Sequence, residues 1–219
     1  MIENVFAILL GYFLGALPSA YLLVKLTSGK DLRSEGSGNI GARNSLESTG
    51  KKWVGAMVLV LDLLKAVAAV KLSEYFFNGD MFLISMTSVF VLLGHNYNVF
   101  LKFKGGRGLA SAAGISLAIN PLAVILWLLM YFTGMKIINK NVHIASVIAS
   151  LGMPLLIVGA PEFVILETQT LAFSNAGDFK ALTVAVCLVI IIKHIAPIKV
   201  FLDKKEAEEE NNDEIKQDN

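Results

Sequence analysis

Seven apolar runs dominate this sequence and leave few folds open to it. They lie near Val5–Leu26, Trp53–Leu72, Met81–Leu101, Leu109–Ile119, Pro121–Ile138, Val142–Ala160 and Phe179–Val200. A helix needs about 20 apolar residues to span the hydrocarbon core of a bilayer. In lipid the backbone must satisfy its own hydrogen bonds, which a helix does within itself. The expected fold class is therefore an all-α integral membrane protein of about seven transmembrane helices. Composition agrees: 17% of the 219 residues are charged, against roughly 25% in soluble domains. The fourth run is short. Asn120-Pro121 marks a turn into the fifth, because proline disfavours helix at the residue before it; one long kinked helix is the alternative. The first run has Glu3 before it, no basic residue and no small-residue cleavage site after it, so it reads as a retained helix rather than a signal peptide. With a single cysteine, Cys187, no disulfide framework is expected.

Charge gives the expected orientation. One set of connections holds Lys25, Lys30, Arg33, Arg43, Lys51 and Lys52, then Lys102, Lys104 and Arg107, then Lys136 and Lys140. The C-terminal part adds Lys193, Lys199, Lys204, Lys205 and Lys216, for 16 of the 19 basic residues. Lys65 lies inside a run. Only Lys71 and Lys180 fall on the other side, beside Glu3, Glu74, Asp80, Glu162, Glu167 and Asp178. Basic residues gather on the cytoplasmic side of membrane proteins, which puts the N-terminus outside and the C-terminus in the cytoplasm. Residues 1–202 form the membrane-embedded body. Residues 203–219 hold eight acidic and three basic residues with almost no apolar content, and a disordered acidic cytoplasmic tail is expected there.

Two glycine-rich loops interrupt the apolar pattern on that cytoplasmic side. The first is "GSGNIGARN", residues 36–44. Closely spaced glycines let backbone N–H groups turn toward an anion without obstruction by Cβ. Ser37, Gly38 and Asn39 add donors, and Arg43 and Asn44 follow at the start of a short helix, where the dipole also favours anions. An ordinary connecting loop is the plain alternative. The second is "FKGGRG", residues 103–108, with Gly105 and Gly106 between Lys104 and Arg107. Basic residues at a membrane boundary often only anchor a helix, but anchoring does not explain the paired glycines. Together the loops point to a site for two phosphates, or for one phosphate and an activated group. His95 and Asn96, and His194 with Lys193, lie at the same depth. Asp62 and Lys65, three apart on one helical face, read as a buried pair that fixes packing. No His, Cys or carboxylate cluster has metal-ligand spacing, so no metal is expected. Neither loop is a Walker motif, and no inverted or tandem repeat suggests a transporter.

The blocks "SEGSGNIGARN…GKK…LDLLK", "GHNYNVFLKFKGGRG" and "KHIAPI" resemble those of the bacterial acyl-phosphate-dependent glycerol-3-phosphate acyltransferases, the PlsY family, over roughly residues 5 to 200. The resemblance implies transfer of a fatty acyl group from acyl phosphate to the 1-hydroxyl of sn-glycerol 3-phosphate, giving lysophosphatidic acid and phosphate, at the cytoplasmic face of a bacterial inner membrane. It implies no cofactor, since acyl phosphate is already activated, and no nucleic-acid partner. The partners are the two substrates, membrane lipid and, as a further option, a soluble acyl-phosphate synthase. His194 is the protein candidate for the catalytic base. The phosphate-binding set is Ser37, Gly38, Asn39, Arg43, Asn44, Lys104, Gly105, Gly106, Arg107 and His143.

The chain also departs from the family pattern. Arg43 stands where the family has threonine, Glu47 where it has a phosphate-binding arginine, and Asn98 where it has proline. Arg107 replaces lysine, His143 serine and Pro197 asparagine. Two other readings stay open at this point: a divergent paralogue that acylates another phosphorylated acceptor or binds lipid phosphate without turnover, and a small anion transporter.

Overall fold

The computed structural model describes residues 1–137 and 141–217. Its helices are α1 (Ile2–Gly15), α2 (Ser19–Ser28), α3 (Ala42–Thr49), α4 (Lys52–Phe76), α5 (Met81–Asn96), α6 (Leu109–Ile119), α7 (Leu122–Ile137), α8 (Val142–Gly159), α9 (Glu162–Glu167) and α10 (Ala176–Gln217), with a 3-10 turn at Val99–Leu101. No strand occurs among the described residues. Each expected apolar run is mainly helical among the described residues. Five stretches, Ile2–Ser28, Lys52–Phe76, Met81–Leu101, Val142–Gly159 and Ala176–Ala207, are long and apolar enough to cross a membrane, while α6 and α7 are shorter. Large apolar side chains face outward, Leu155 at 75% exposure and Phe132 at 60% among them. A surface like this suits lipid rather than water.

One expectation needs correction. The first run is not one helix. Pro18 breaks it into α1 and α2, because proline has no N–H to continue the ladder. The fourth and fifth runs are separate helices, as expected, with Asn120 in extended conformation between them. α10 runs on as helix through the acidic segment from Asp203 to Gln217; its Lys, Ala and Glu residues are good helix formers. Ile138, Asn139 and Lys140, including the expected end of the fifth run, one lysine of the charge count and part of the loop before α8, lie outside the described residues, as do residues 218–219.

The short α6 is completed from outside. Eleven residues make a helix of roughly 16 Å, about half a bilayer core. Its last carbonyls are met by the segment after α8: Thr170 and Leu171 donate backbone N–H to the Ile119 carbonyl at 2.8 and 3.3 Å. The fully buried Asn120 donates Nδ2 to the Ile165 carbonyl (2.9 Å) and to Thr168 Oγ1 (3.1 Å), while its Oδ1 accepts from Leu122 N–H. Thus α9 and the chain after it supply hydrogen bonds that water would supply in a soluble protein.

Elsewhere in the bundle α1 and α5 lie almost backbone to backbone. A Cβ on Gly94 would strike the Tyr12 carbonyl, and one on Gly15 would strike the Val91 carbonyl. Small residues at such a seam permit the close approach that drives helix association in lipid.

Candidate active site

Both glycine-rich loops close one end of the bundle. The Ile40 N–H donates to the Gly105 carbonyl (3.3 Å) and the Gly106 N–H to the His95 carbonyl (3.1 Å). Between them lies a cavity of about 240 Å³, walled on its polar side by Asn39, Arg43, Asp62, His95, Arg107, His143, Ser146 and His194. All three histidines of the chain therefore meet at one place.

Three helices begin there. Gly41, Ala42 and Arg43 open α3, Gly108, Leu109 and Ala110 open α6, and Val142 and His143 open α8; all line the cavity. The N-caps of α3 and α6 are Gly41 and Gly108, and neither has a side-chain cap. Their first-turn N–H groups are left for another acceptor. With the helix dipoles these donors favour an anion. Two guanidinium groups add full charge. Burial first, and then the neighbouring Arg43 guanidinium, pulls the Arg107 pKa below its ordinary value, which an incoming anion would oppose.

The expected binding residues separate into two groups. Asn39, Arg43, Arg107, His143 and His194 line the cavity; Ser37, Gly38, Asn44, Lys104, Gly105 and Gly106 do not. Asn44 is buried and engaged with its own loop: Nδ2 donates to the Glu35 and Asn39 carbonyls at 3.0 Å, and Oδ1 accepts the Ser37 N–H at 3.1 Å. Ser37 and Lys104 are exposed. Gly105 and Gly106 meet a packing demand. A Cβ on Gly105 would hit the His95 and Asn96 carbonyls, and one on Gly106 would hit the imidazole Nε2 of His95.

The buried Asp62–Lys65 pair is present at 2.8 Å, as its spacing led us to expect. It does more than fix packing, because Asp62 and His95 also form the cavity wall. Tyr131 and Ser146 line it too, unforeseen in the sequence. The one available hint was Ser146 at three residues from His143, on the same helical face.

The histidines hold distinct partners. His194 is buried, and its Nδ1 lies 2.8 Å from the Ile190 carbonyl. A carbonyl only accepts, so Nδ1 carries the proton and Nε2 keeps its lone pair. His143 Nε2 is 3.5 Å from Arg107 Nη1, and its ring centroid is 5.5 Å from that of His194. Lys193, beside His194, turns away to donate to the Asn96 carbonyl (3.0 Å) and to cover the Tyr97 ring.

A second cavity, about 200 Å³, adjoins the first and is apolar. Leu63, Trp127, Leu128, Met153, Val186 and Ile190 are among its walls, and Leu59, Leu109 and Ala110 border both cavities. A polar cavity and an apolar one thus adjoin across the start of α6.

Known proteins share this arrangement of sequence. The family described as glycerol-3-phosphate acyltransferase matches residues 5–204. This chain belongs to that family. A glycerol-3-phosphate acyltransferase of Geotalea daltonii is 35% identical over 82% of this chain and 91% of its own. Another, of Thermosipho melanesiensis, is 34% identical over 93% and 92%. Among solved structures, the integral membrane glycerol 3-phosphate acyltransferase PlsY in its glycerol 3-phosphate form superposes with a TM-score of 0.74 at 29% identity, covering 92% of each chain. The lysophosphatidic acid form of PlsY gives 0.72 at 27% identity, with the same coverage. The family match thus covers all ten described helices except the ends of α1 and α10.

Proposed function

We propose that this acyltransferase moves a fatty acyl group from acyl phosphate to the 1-hydroxyl of glycerol 3-phosphate, at the cytoplasmic face of a bacterial inner membrane. The observation that carries the reading is the pair of adjoining cavities, one polar with two guanidinium groups and uncapped helix starts, the other apolar, meeting at Leu59, Leu109 and Ala110. An acyl phosphate has that bipartite chemistry. Its phosphate would sit against Arg107 and the start of α6, and its chain would enter the apolar cavity. The reacting carbonyl then lies at the junction. The acceptor phosphate would lie toward Arg43 and the start of α3.

The reaction is then largely one of positioning and charge compensation. The acceptor hydroxyl attacks the acyl carbon, the new C–O bond forms, and the bond from that carbon to the phosphate oxygen breaks. His194 Nε2 takes the hydroxyl proton and returns it to the departing phosphate. An acyl phosphate is a mixed anhydride and needs no further activation. The charge asymmetry of the sequence supports a cytoplasmic site, an outside N-terminus and seven passes. A soluble acyl-phosphate synthase would then meet the protein at this face.

One observation favours a second acceptor class. Arg43 is held by Glu47 at 2.8 Å in an exposed pair, so the acceptor side of the cavity differs electrically from the family pattern. The decisive experiment is phosphate release by the purified protein from acyl phosphate, with glycerol 3-phosphate and a panel of other phosphorylated acceptors. Turnover with glycerol 3-phosphate alone supports the main reading; turnover only with another acceptor replaces it; no turnover with any acceptor rejects both.

A further inference from the structure

Lys65 lies in α4, one helical turn from Asp62, with its side chain only 7% exposed. An ammonium group has three N–H donors and no acceptor. Here the three have three partners. Lys65 Nζ is 2.8 Å from Asp62 Oδ1, 3.0 Å from His95 Nδ1 and 3.3 Å from the Leu17 carbonyl, which the Pro18 break leaves facing the bundle. Asp62 Oδ1 also accepts from Ser19 Oγ at 2.8 Å. It lies 3.6 Å from His95 Nδ1, outside hydrogen-bond reach.

These contacts decide which nitrogen of His95 carries hydrogen. Since Lys65 can only donate, Nδ1 must accept. A proton on Nδ1 would set two N–H groups against each other at 3.0 Å. The neutral ring then carries its hydrogen on Nε2. That atom rests against Gly106, where no Cβ intrudes, beside the cavity that His95 lines. His194 has the opposite arrangement, with Nδ1 donating to Ile190 and Nε2 open. One cavity therefore holds one histidine arranged to donate a hydrogen and one arranged to accept it.

We propose that Lys65 fixes the tautomer of His95, and that His95 is a neutral Nε2–H donor to an oxygen of the acyl phosphate that gains negative charge as the acyl group transfers. Lys65 is a positioning residue; His95 is the group that touches substrate. The catalytic half of this inference rests on the acyl-transfer reading above. The tautomer half does not. No bond is made or broken by His95. The acceptor proton still passes through His194 to the leaving phosphate, and His95 only stabilises developing charge.

The test is a nitrogen NMR spectrum of the full chain, labelled with 15N-histidine, in lipid nanodiscs. Three histidines give three ring pairs, and His143→Gln and His194→Gln assign them by loss of signal. The expected result for His95 is a protonated Nε2 with an unprotonated Nδ1, and the reverse for His194. In Lys65→Met the His95 ring should populate the other tautomer. Its kcat with acyl phosphate should fall about a hundredfold, as when one preorganised donor is lost, while KM changes less than about twofold. His95→Gln, which keeps an N–H donor, should retain more activity than His95→Ala. A doubly protonated or Nδ1-protonated His95 in the unsubstituted protein overturns the inference without any variant having to fold. So does a Lys65→Met protein with unchanged tautomer and unchanged kcat. An unsubstituted protein that shows the expected tautomer yet turns over no acyl phosphate overturns the acyl-transfer reading and the catalytic half together, leaving the tautomer assignment in place.

Discussion

Arg43 and Glu47 form an ion pair one turn apart on α3, Nε to Oε1 2.8 Å, at the rim of the polar cavity, with side chains 64% and 50% exposed. Exposed pairs of this kind contribute only about 0.3–0.5 kcal/mol, so a phosphate could recruit the guanidinium at little cost. We expect Arg43→Thr to weaken acceptor binding about tenfold or more, leaving the KM for acyl phosphate unchanged. If the pair merely neutralises itself, the unsubstituted protein should be feeble with glycerol 3-phosphate, and Arg43→Thr with Glu47→Arg should raise its activity. Full activity that ignores Arg43→Thr would defeat both versions.

Arg107 is half-buried just before α6, where its Nη1 lies 3.5 Å from His143 Nε2. Arg107→Ala should lower kcat/KM by about one to two decades, the loss of a charged hydrogen bond of roughly 1.5–3 kcal/mol. Arg107→Lys should keep most of the activity. Steady-state kinetics alongside a thermal melt separates the two roles. A melting shift with normal kinetics would return Arg107 to membrane anchoring.

His194→Gln removes the open Nε2 lone pair while roughly keeping the side-chain volume. A general base contributes about 10²–10⁴ in rate, so kcat should fall within that range. The assay is single-turnover acyl transfer. Near-normal transfer would move the proton directly from the hydroxyl to the departing phosphate, with no protein base.

The α1–α5 seam leaves no room for a branched side chain. Gly94→Val must push the Tyr12 carbonyl and Ala16 backbone aside, an overpacking cost of about 1–3 kcal/mol. Thermal unfolding in detergent should show a clear drop, whereas Gly50→Ala, at a helix end with open space around it, should show a smaller one. Equal shifts would mean that the seam relaxes.

Reporter fusions read the orientation. A fusion after Asp80, in the turn between α4 and α5, should give an external signal, and one after Asn219 a cytoplasmic signal. The same side for both would rule out seven passes.

The sequence by itself determined the apolar helices, the short helix at Arg43, the ends of α6 and the family, because these follow from local rules: run length, proline position, and motifs that are contiguous in the chain. It also brought Asn39, Arg43, Arg107, His143 and His194 to one place through the resemblance. Only the tertiary structure decided the rest. Asn44 reads in the sequence as an anion ligand; the structure engages its amide with carbonyls five to twelve residues away in its own loop. Gly105 and Gly106 read in the sequence as a phosphate cradle, and the fold adds that their lack of Cβ is required by His95 and Asn96 on another helix. Asp62 and Lys65 read as a pair at helical spacing, but Lys65 reaches His95, thirty residues on, and Leu17, forty-eight residues back. Hydrogen-bond direction between distant segments has no period and no spacing. It exists only once the helices are packed, and it is what distinguishes His95 from His194.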